Sequence, residues 1–214
     1  RLAIIDTDRR SNQPMIFDNR YAIVFNGEIY NYIEIKKELL KRGVQFITES
    51  DTEVLFHLMI LEGPSALSKL NGMWSFVLYD DLEQRFFMSR DRIGKKPLYY
   101  IHEGEQFAFA SEMKALYKCL PEFSYNKAFI DFSLANPFDN EVLPDTIISG
   151  IHKFPSGSYA VYQNGELKIS RYYFPEQLLE QKPAHKNFNE AVEQFRELFE
   201  SSCTLRMRSD VPVG

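Results

Sequence analysis

The chain has 214 residues, of which 44% are hydrophobic and 26% charged, and its formal net charge is −5. This balance is typical of a folded globular protein with one large domain, or one domain and part of another. An acidic chain without a long apolar run predicts neither a nucleic-acid partner nor a membrane span. Its two cysteines, Cys119 and Cys203, indicate reduced thiols of a cytoplasmic protein rather than a disulfide framework.

Both ends of the chain interrupt a structural pattern. The first residues, RLAIID at 1–6, have the composition of a buried strand, and the last residues, SDVPVG, stop in mid-pattern. We therefore expect the sequence to be a fragment of a longer protein, with chemistry beyond either end.

The first part of the chain predicts strands and helices in alternation. In chain order, the predicted elements are a strand at 1–6, a loop at 13–15, a strand at 21–25 that ends in a turn at Asn26-Gly27, a helix at 31–42 that stops at Gly43, a strand at 44–47 and a helix at 49–63. Asn-Gly is the strongest short turn signal. Ser50 and Glu53 match the S-x-x-E capping box of a helix start.

The middle of the chain predicts antiparallel hairpins. In chain order, the predicted elements are a hairpin of strands at 73–80 and 85–91, a hairpin at 97–111 that turns near Gly104, helices at 112–120 and 126–136, and a hairpin at 157–173 that turns at Asn164-Gly165. Several hairpins beside several helices predict an α+β domain in which helices cover antiparallel sheets.

The last part of the chain predicts a domain boundary. Residues 174–188 are polar, contain two prolines and have the composition of a linker. The following segment, 189–207, predicts an amphipathic helix with Val192, Phe195, Phe199 and Cys203 on one face. A second domain is therefore expected to begin after the linker.

Most groups that often carry chemistry lack a suitable context. The four histidines have no metal-ligand spacing, neither cysteine has a nearby histidine or glycine elbow, and no phosphate-binding loop is present. The basic and aromatic run RDRIGKKPLYY at 90–100 is too short, in an acidic chain, to favour nucleic-acid binding. We interpret it as a surface loop that braces a hairpin.

Three polar sites suit a free amino acid as the ligand. Arg1 opens a buried strand, Asn26-Gly27-Glu28 ends another, and Asp51 begins a helix. An arginine fork binds an α-carboxylate, an aspartate binds an α-ammonium, and an amide with a backbone N–H stabilises an oxyanion. The pattern alone leaves the alternative open that Asn26-Gly27 is a plain turn and Ser50-Asp51 a plain helix cap.

Seven motifs in order decide between these interpretations. RLAIID, NQPM, FNGEIYN, SDTEV, LNGMWSFVLYD, RDRIGKKPLYY and FASEMKAL, followed by RMRSDVPVG at the end, resemble the glutamine-hydrolysing asparagine synthetase family. The resemblance implies an Ntn-hydrolase-type αββα sandwich of antiparallel sheets between helices, followed by the first helix of an α/β synthetase domain. It implies a glutaminase domain at 1–173, a linker at 174–188 and the start of the synthetase domain at 189–214.

The resemblance also implies a reaction. A cysteine at the processed N-terminus attacks the glutamine side-chain amide, with its own α-amine as base, and a thioester forms as ammonia leaves. Ammonia passes through an internal tunnel to aspartate that Mg-ATP has activated as an acyl-adenylate. The products are asparagine, glutamate, AMP and pyrophosphate. ATP and Mg²⁺ would be bound by the synthetase domain and not by this chain, and the enzyme would be cytoplasmic, with a homodimer left open.

The family's glutamine-site residues match this chain one by one. Asn26 and Gly27 match the oxyanion hole. The remaining matches are Arg1 to the α-carboxylate clamp, Leu2, Ile4 and Ile5 to the pocket strand, Glu28 to the pocket acid, and Asp51 to the α-ammonium partner. The nucleophilic cysteine, expected upstream of RLAIID, and the S-G-G-x-D-S loop, expected after SDVPVG, are not in this chain.

Two alternatives remain open at this stage. The acceptor of ammonia could be a different carboxylate, for example in surface-polysaccharide biosynthesis, because the missing domain selects the acceptor. The chain could also belong to a relative that has lost glutaminase activity, as β-lactam synthetases have. Retention of Arg1, Asn26, Gly27 and Asp51 argues against the second alternative.

Overall fold

The computed structural model describes residues 4–120, 122–140, 143–179 and 187–212. The strands are β1 Met15–Phe17, β2 Tyr21–Ile29, β3 Gly72–Asp80, β4 Arg85–Arg90, β5 Tyr99–Glu103, β6 Gln106–Ala110, β7 His152–Lys153, β8 Ser158–Gln163 and β9 Glu166–Arg171. The α-helices are α1 Tyr32–Lys41, α2 Asp51–Glu62, α3 Met113–Leu116, α4 Lys127–Ala135, α5 Glu176–Leu179 and α6 Phe188–Arg206.

The strands form two antiparallel sheets. The larger sheet has the order β1-β2-β3-β4-β8-β9, and the smaller one has the order β6-β5-β7. The three predicted hairpins are present as β3–β4, β5–β6 and β8–β9. Asn164 and Gly165 both adopt a positive φ at the β8–β9 turn, as a two-residue hairpin turn of this type requires. The predicted antiparallel α+β class is confirmed.

Three hydrophobic clusters show how the layers pack. The largest joins α1 and α2 to one face of the larger sheet, for example through Leu39, Phe56 and Trp74. A second cluster, which includes Met88 and Phe154, lies between the two sheets. The third packs α3 on the outer face of the smaller sheet. The order of layers is therefore helices, larger sheet, smaller sheet, helix.

The predicted turn at Asn26-Gly27 is wrong, because β2 runs straight through both residues. Asn26 pairs with Ser75 and Gly27 with Trp74 across the β2–β3 ladder. A Cβ atom on Gly27 would lie 2.2 Å from the Met73 carbonyl oxygen, far inside van der Waals contact. The glycine therefore serves close approach of two strands and not a reversal of the chain.

Two predicted strands are also wrong. Residues 4–6 of the predicted strand at 1–6 are not in a sheet, and residues 1–3 lie outside the described residues. The segment 44–47 is a loop, because Ile47 N–H donates to the Glu53 carboxylate at 2.8 Å instead of to another strand. Part of the predicted loop at 13–15 belongs to β1, which begins at Met15.

The helices agree better with the sequence. The helices predicted at 31–42, 49–63 and 126–136 are present as α1, α2 and α4, and the one predicted at 112–120 is a short α3 followed by a 3-10 turn. The start of α6 is capped by Asn187, whose side chain accepts from Glu190 N–H. The predicted apolar face of α6 is exposed, with Phe195 69% and Phe199 60% accessible. Within the described ranges, no helix has the length and apolarity to cross a membrane.

Candidate active site

The polar residues of β2 lie on the face that is turned away from α1 and α2. Side chains alternate along a strand, and Phe25 and Ile29 belong to the core beneath the helices. Asn26 and Glu28 therefore project from the opposite face, towards the side of the smaller sheet. This alternation puts the predicted oxyanion amide and the predicted pocket acid side by side.

Among the described residues, no strand pairs with the edge of β2 at Gly27. Phe25 N–H donates to Gln13 Oε1 at 2.6 Å, and Ile29 N–H donates to Asp51 Oδ2 at 2.9 Å. Alternate N–H groups of an antiparallel strand point to the same edge, so Gly27 N–H points to this edge as well, between the two side chains. The neighbouring strand β1 reaches only as far as Ile23.

Asn26 is held from the smaller sheet. Its Nδ2 donates to Ser111 Oγ at 3.2 Å, and Ser111 directly follows β6. Both residues line a cavity of about 320 Å³, together with Gln13 and apolar residues that include Val24 and Phe109. Ser111 was not among the predicted site residues. It lies in FASEMKAL, one of the seven motifs that carry the family resemblance, and this motif could have indicated it.

Two buried acids lie together at the end of β2. Glu28 is 6% and Asp51 5% exposed. Burial raises the pKa of Asp51 to about 7, the hydrogen bond from Ile29 N–H opposes this, and the nearby Glu28 charge adds to it. Burial also raises the pKa of Glu28, against the positive charges of Lys96, Arg206 and Lys95. A ligand cation would relieve the repulsion between the two carboxylates.

The start of α2 fixes the position of Asp51. Ser50 Oγ accepts from Glu53 N–H at 3.2 Å, which confirms the Ser50 half of the predicted capping box. Glu53 does not reach back to Ser50 but accepts from Ile47 and Thr48 N–H. Burial acts to raise the pKa of Glu53, but His57 and these hydrogen bonds lower it to about 2. These hydrogen bonds fix the backbone of the first turn of α2, which carries Asp51.

The predicted N-terminal residues are only partly visible. Arg1 and Leu2 lie outside the described residues, whereas Ile5 is buried and Ile4 is half-buried. The segment is tied to the start of α2, because Glu49 N–H donates to Asp6 Oδ2 at 2.8 Å. Ile4 and Ile5 thus run beside the helix that carries Asp51.

The basic run at 90–100 is mainly the loop that connects the end of β4 to the start of β5. The buried Asp91 carboxylate accepts from four N–H groups, those of Trp74, Ile93, Lys95 and Lys96. The Arg90 guanidinium donates to the carbonyls of Gly94, Lys96 and Phe154. The two charged side chains hold the loop against the sheets, as the sequence predicted.

Solved structures identify the class of fold. The chain is similar to glutamine phosphoribosylpyrophosphate amidotransferase of Bacillus subtilis, with a TM-score of 0.54 and 22% identity over 78% of this chain and 33% of that one. A second neighbour, described as the allosteric regulatory enzyme of purine biosynthesis, has a TM-score of 0.54 and 23% identity over 75% of this chain and 31% of that one. The chain therefore shares its antiparallel α+β fold with these two solved structures.

Sequence comparison identifies the family. The model of the glutamine amidotransferase domain matches residues 1–173, and the chain belongs to this family. Asparagine synthetase (glutamine-hydrolysing) 1 of Bacillus subtilis is 35% identical over all of this chain and 33% of its own length. A putative asparagine synthetase (glutamine-hydrolysing) 2 of Methanocaldococcus jannaschii is 32% identical over all of this chain and 44% of its own length. The chain thus spans less than half of these relatives.

Proposed function

We propose that this chain binds glutamine and provides the oxyanion hole for hydrolysis of its side-chain amide to glutamate and ammonia. The arrangement of β2 carries the proposal: Gly27 N–H points to an open strand edge beside the Asn26 amide, and the buried acids Glu28 and Asp51 follow at the same end of the strand. An amide and an N–H that converge on one oxygen stabilise the charge that develops during attack on a carbonyl.

The remaining roles follow from the chemistry of a free amino acid. Asp51, next to Glu28, binds the α-ammonium group, and Ile4 and Ile5 line the side-chain pocket. Arg1 is assigned to the α-carboxylate and Leu2 to the pocket wall by the family resemblance alone. The nucleophile is a cysteine that precedes residue 1 in the full-length protein, and it would use its own α-amine as the base.

We propose that the full-length protein is a glutamine-dependent asparagine synthetase. The names of the relatives that match this whole chain at 35% and 32% identity support this reaction. Ammonia would pass to aspartate activated by ATP and Mg²⁺ in the synthetase domain, which gives asparagine, AMP and pyrophosphate. The boundaries 1–173, 174–188 and 189–214 remain predictions.

Asn26→Ala in the full-length protein tests the oxyanion assignment. Loss of one oxyanion donor lowers turnover by on the order of 10²-fold, so we expect this loss in glutamate release from glutamine. Asparagine formation from ammonium chloride, aspartate and ATP should be retained, because it bypasses the glutamine site. Unchanged glutamine turnover would refute the role of Asn26.

The identity of the ammonia acceptor is tested with the wild-type full-length protein. With wild-type protein, glutamine and Mg-ATP, we expect pyrophosphate release to depend on aspartate and to be accompanied by asparagine. If glutamine is hydrolysed but no pyrophosphate is released in response to aspartate, the glutaminase proposal stands and the proposal that aspartate is the acceptor is rejected.

A further inference from the structure

The five residues Arg206–Asp210, which we call the docking segment, lie outside the matched amidotransferase domain but contact its candidate active site. Arg208 binds both carboxylate oxygens of Glu34 at 2.6 Å and the Tyr30 carbonyl oxygen at 2.7 Å. Tyr30 directly follows β2, the strand that carries Asn26, Gly27 and Glu28. One guanidinium therefore joins the docking segment to the end of the site strand.

The opposite end of the docking segment holds the N-terminal pocket segment. Asp210 N–H donates to the Ile4 carbonyl at 3.0 Å, and Asp210 Oδ2 accepts from Asp6 N–H at 2.7 Å. Residues 4–6 are not part of a sheet, and these two bonds hold their backbone together with the bond from Glu49 N–H to Asp6 Oδ2. Asp210 thus binds the backbone on both sides of Ile5.

Arg208 makes more hydrogen bonds than an arginine in an ordinary surface ion pair does. Exposed single pairs contribute little to stability, but a bidentate arginine–carboxylate pair also fixes orientation. The side chains of Arg208 and Glu34 are 22% and 55% exposed, and the hydrogen bond and charge of Arg208 lower the pKa of Glu34. Arg206 adds a cation–π contact, with its guanidinium 4.7 Å from the centre of the Tyr30 ring.

We propose that the docking segment is a clamp that fixes two walls of the glutamine pocket, with Arg208 and Asp210 as positioning residues for glutamine binding. The proposal rests on the proposed glutaminase function. Arg208 holds the end of β2 and Asp210 holds Ile4–Asp6, while neither touches the reacting atoms. A displacement of the docking segment therefore changes the affinity for glutamine, and this part of the chain connects the predicted synthetase unit to the glutamine site.

The test compares steady-state glutamine hydrolysis by variants of the full-length protein. Loss of a charged hydrogen bond corresponds to about ten-fold in binding, so we expect Arg208→Ala and Asp210→Ala each to raise KM for glutamine about ten-fold. We expect kcat to stay within about two-fold, because the lost interaction is a binding one. Asp210→Asn retains an acceptor for Asp6 N–H and should restore most of the affinity.

Two further variants separate the clamp from a general effect on α6. Arg196→Ala removes an exposed pair with Glu193 on the same helix and should leave KM unchanged. Glu34→Ala combined with Arg208→Ala should raise KM no more than Arg208→Ala alone, because the two residues form one contact. The melting temperature of each variant, measured in parallel, identifies any variant that fails to fold. If an Asp210 variant fails to fold, Arg208→Ala and its combination with Glu34→Ala carry the test.

The outcomes are distinct. Wild-type KM in Arg208→Ala and Asp210→Ala, with active wild-type enzyme, would overturn the clamp and leave the glutaminase proposal intact. An equal rise of KM in Arg196→Ala would also overturn it. Wild-type enzyme without glutamine turnover would overturn both proposals.

Discussion

Replacement of Asp51 by Asn tests the electrostatics of the two buried acids. In the folded protein the pKa of Asp51 is about 7, against an ordinary value of 3.8. The folded state therefore holds a proton that the unfolded chain releases, so the contribution of Asp51 to stability is full below about pH 4 and is lost as pH rises through 7. At 1.36 kcal/mol per pH unit, the free energy of unfolding falls by about 2 kcal/mol between pH 5 and pH 7 because of this group.

The assay is urea unfolding of wild type and Asp51→Asn at pH 5, 6 and 7 without glutamine. The asparagine side chain keeps an acceptor for Ile29 N–H and carries no charge, so the difference between the two proteins should grow in favour of the variant by about 2 kcal/mol over this range. If the difference in unfolding free energy between the two proteins does not change with pH, Asp51 is ionised over the whole range from pH 5 to 7. This result would refute the conclusion that burial and the Glu28 charge raise the pKa of Asp51. In the full-length enzyme, Asp51→Ala should mainly raise KM for glutamine, since it removes binding in ground and transition states alike.

Three further substitutions test the construction of the site. Gly27→Ala puts a Cβ 2.2 Å from the Met73 carbonyl oxygen. We expect the free energy of unfolding, measured by chemical denaturation, to fall by roughly 1–3 kcal/mol. Wild-type stability of the variant would contradict the close approach of the two strands. Ser111→Ala removes the acceptor of Asn26 Nδ2 and should lower kcat for glutamine hydrolysis about ten-fold, whereas Ser111→Thr keeps the hydroxyl and most of the activity; equal rates in all three proteins would exclude Ser111 as a positioning residue. Asp91→Ala leaves four N–H groups without their acceptor, among them that of the buried Trp74, and should destabilise the protein by roughly 3 kcal/mol. The exposed Asp81→Ala is the matched control, and an equal effect of both changes would argue against a special role of the Asp91 loop.

Several elements were predictable because their signals are local. The Ser50 cap, the turn at Asn164-Gly165 and the periodicity of α1 and α2 depend on neighbours within a few residues. The family resemblance then assigned Asn26, Gly27, Glu28 and Asp51 together, and these residues do lie at the end of β2 and the start of α2. Their roles remain proposals until the enzyme variants are measured.

The errors have a common origin in hydrogen-bond partners that the composition of the segment itself does not indicate. Asn26-Gly27 has the composition of a turn, but β3 pairs with β2 through both residues, and the ladder overrides the local preference. The segment 44–47 has the composition of a strand, but the Glu53 carboxylate takes the N–H groups at its end. Ser111 lies 85 positions from Asn26, a separation at which no local pattern indicates a contact.

The sequence by itself determined the antiparallel α+β class, the family and the residue types of the proposed glutamine site, because periodicity, caps and motifs are properties of short segments. Only the tertiary structure decided how these residues are used. It made the Asn26-Gly27 segment part of a strand, brought two buried acids together, and joined Arg208 to Tyr30 and Asp210 to Asp6. The physical reason is that hydrogen-bond direction, burial and charge repulsion depend on which distant segments share a surface, and this is settled only when the layers pack.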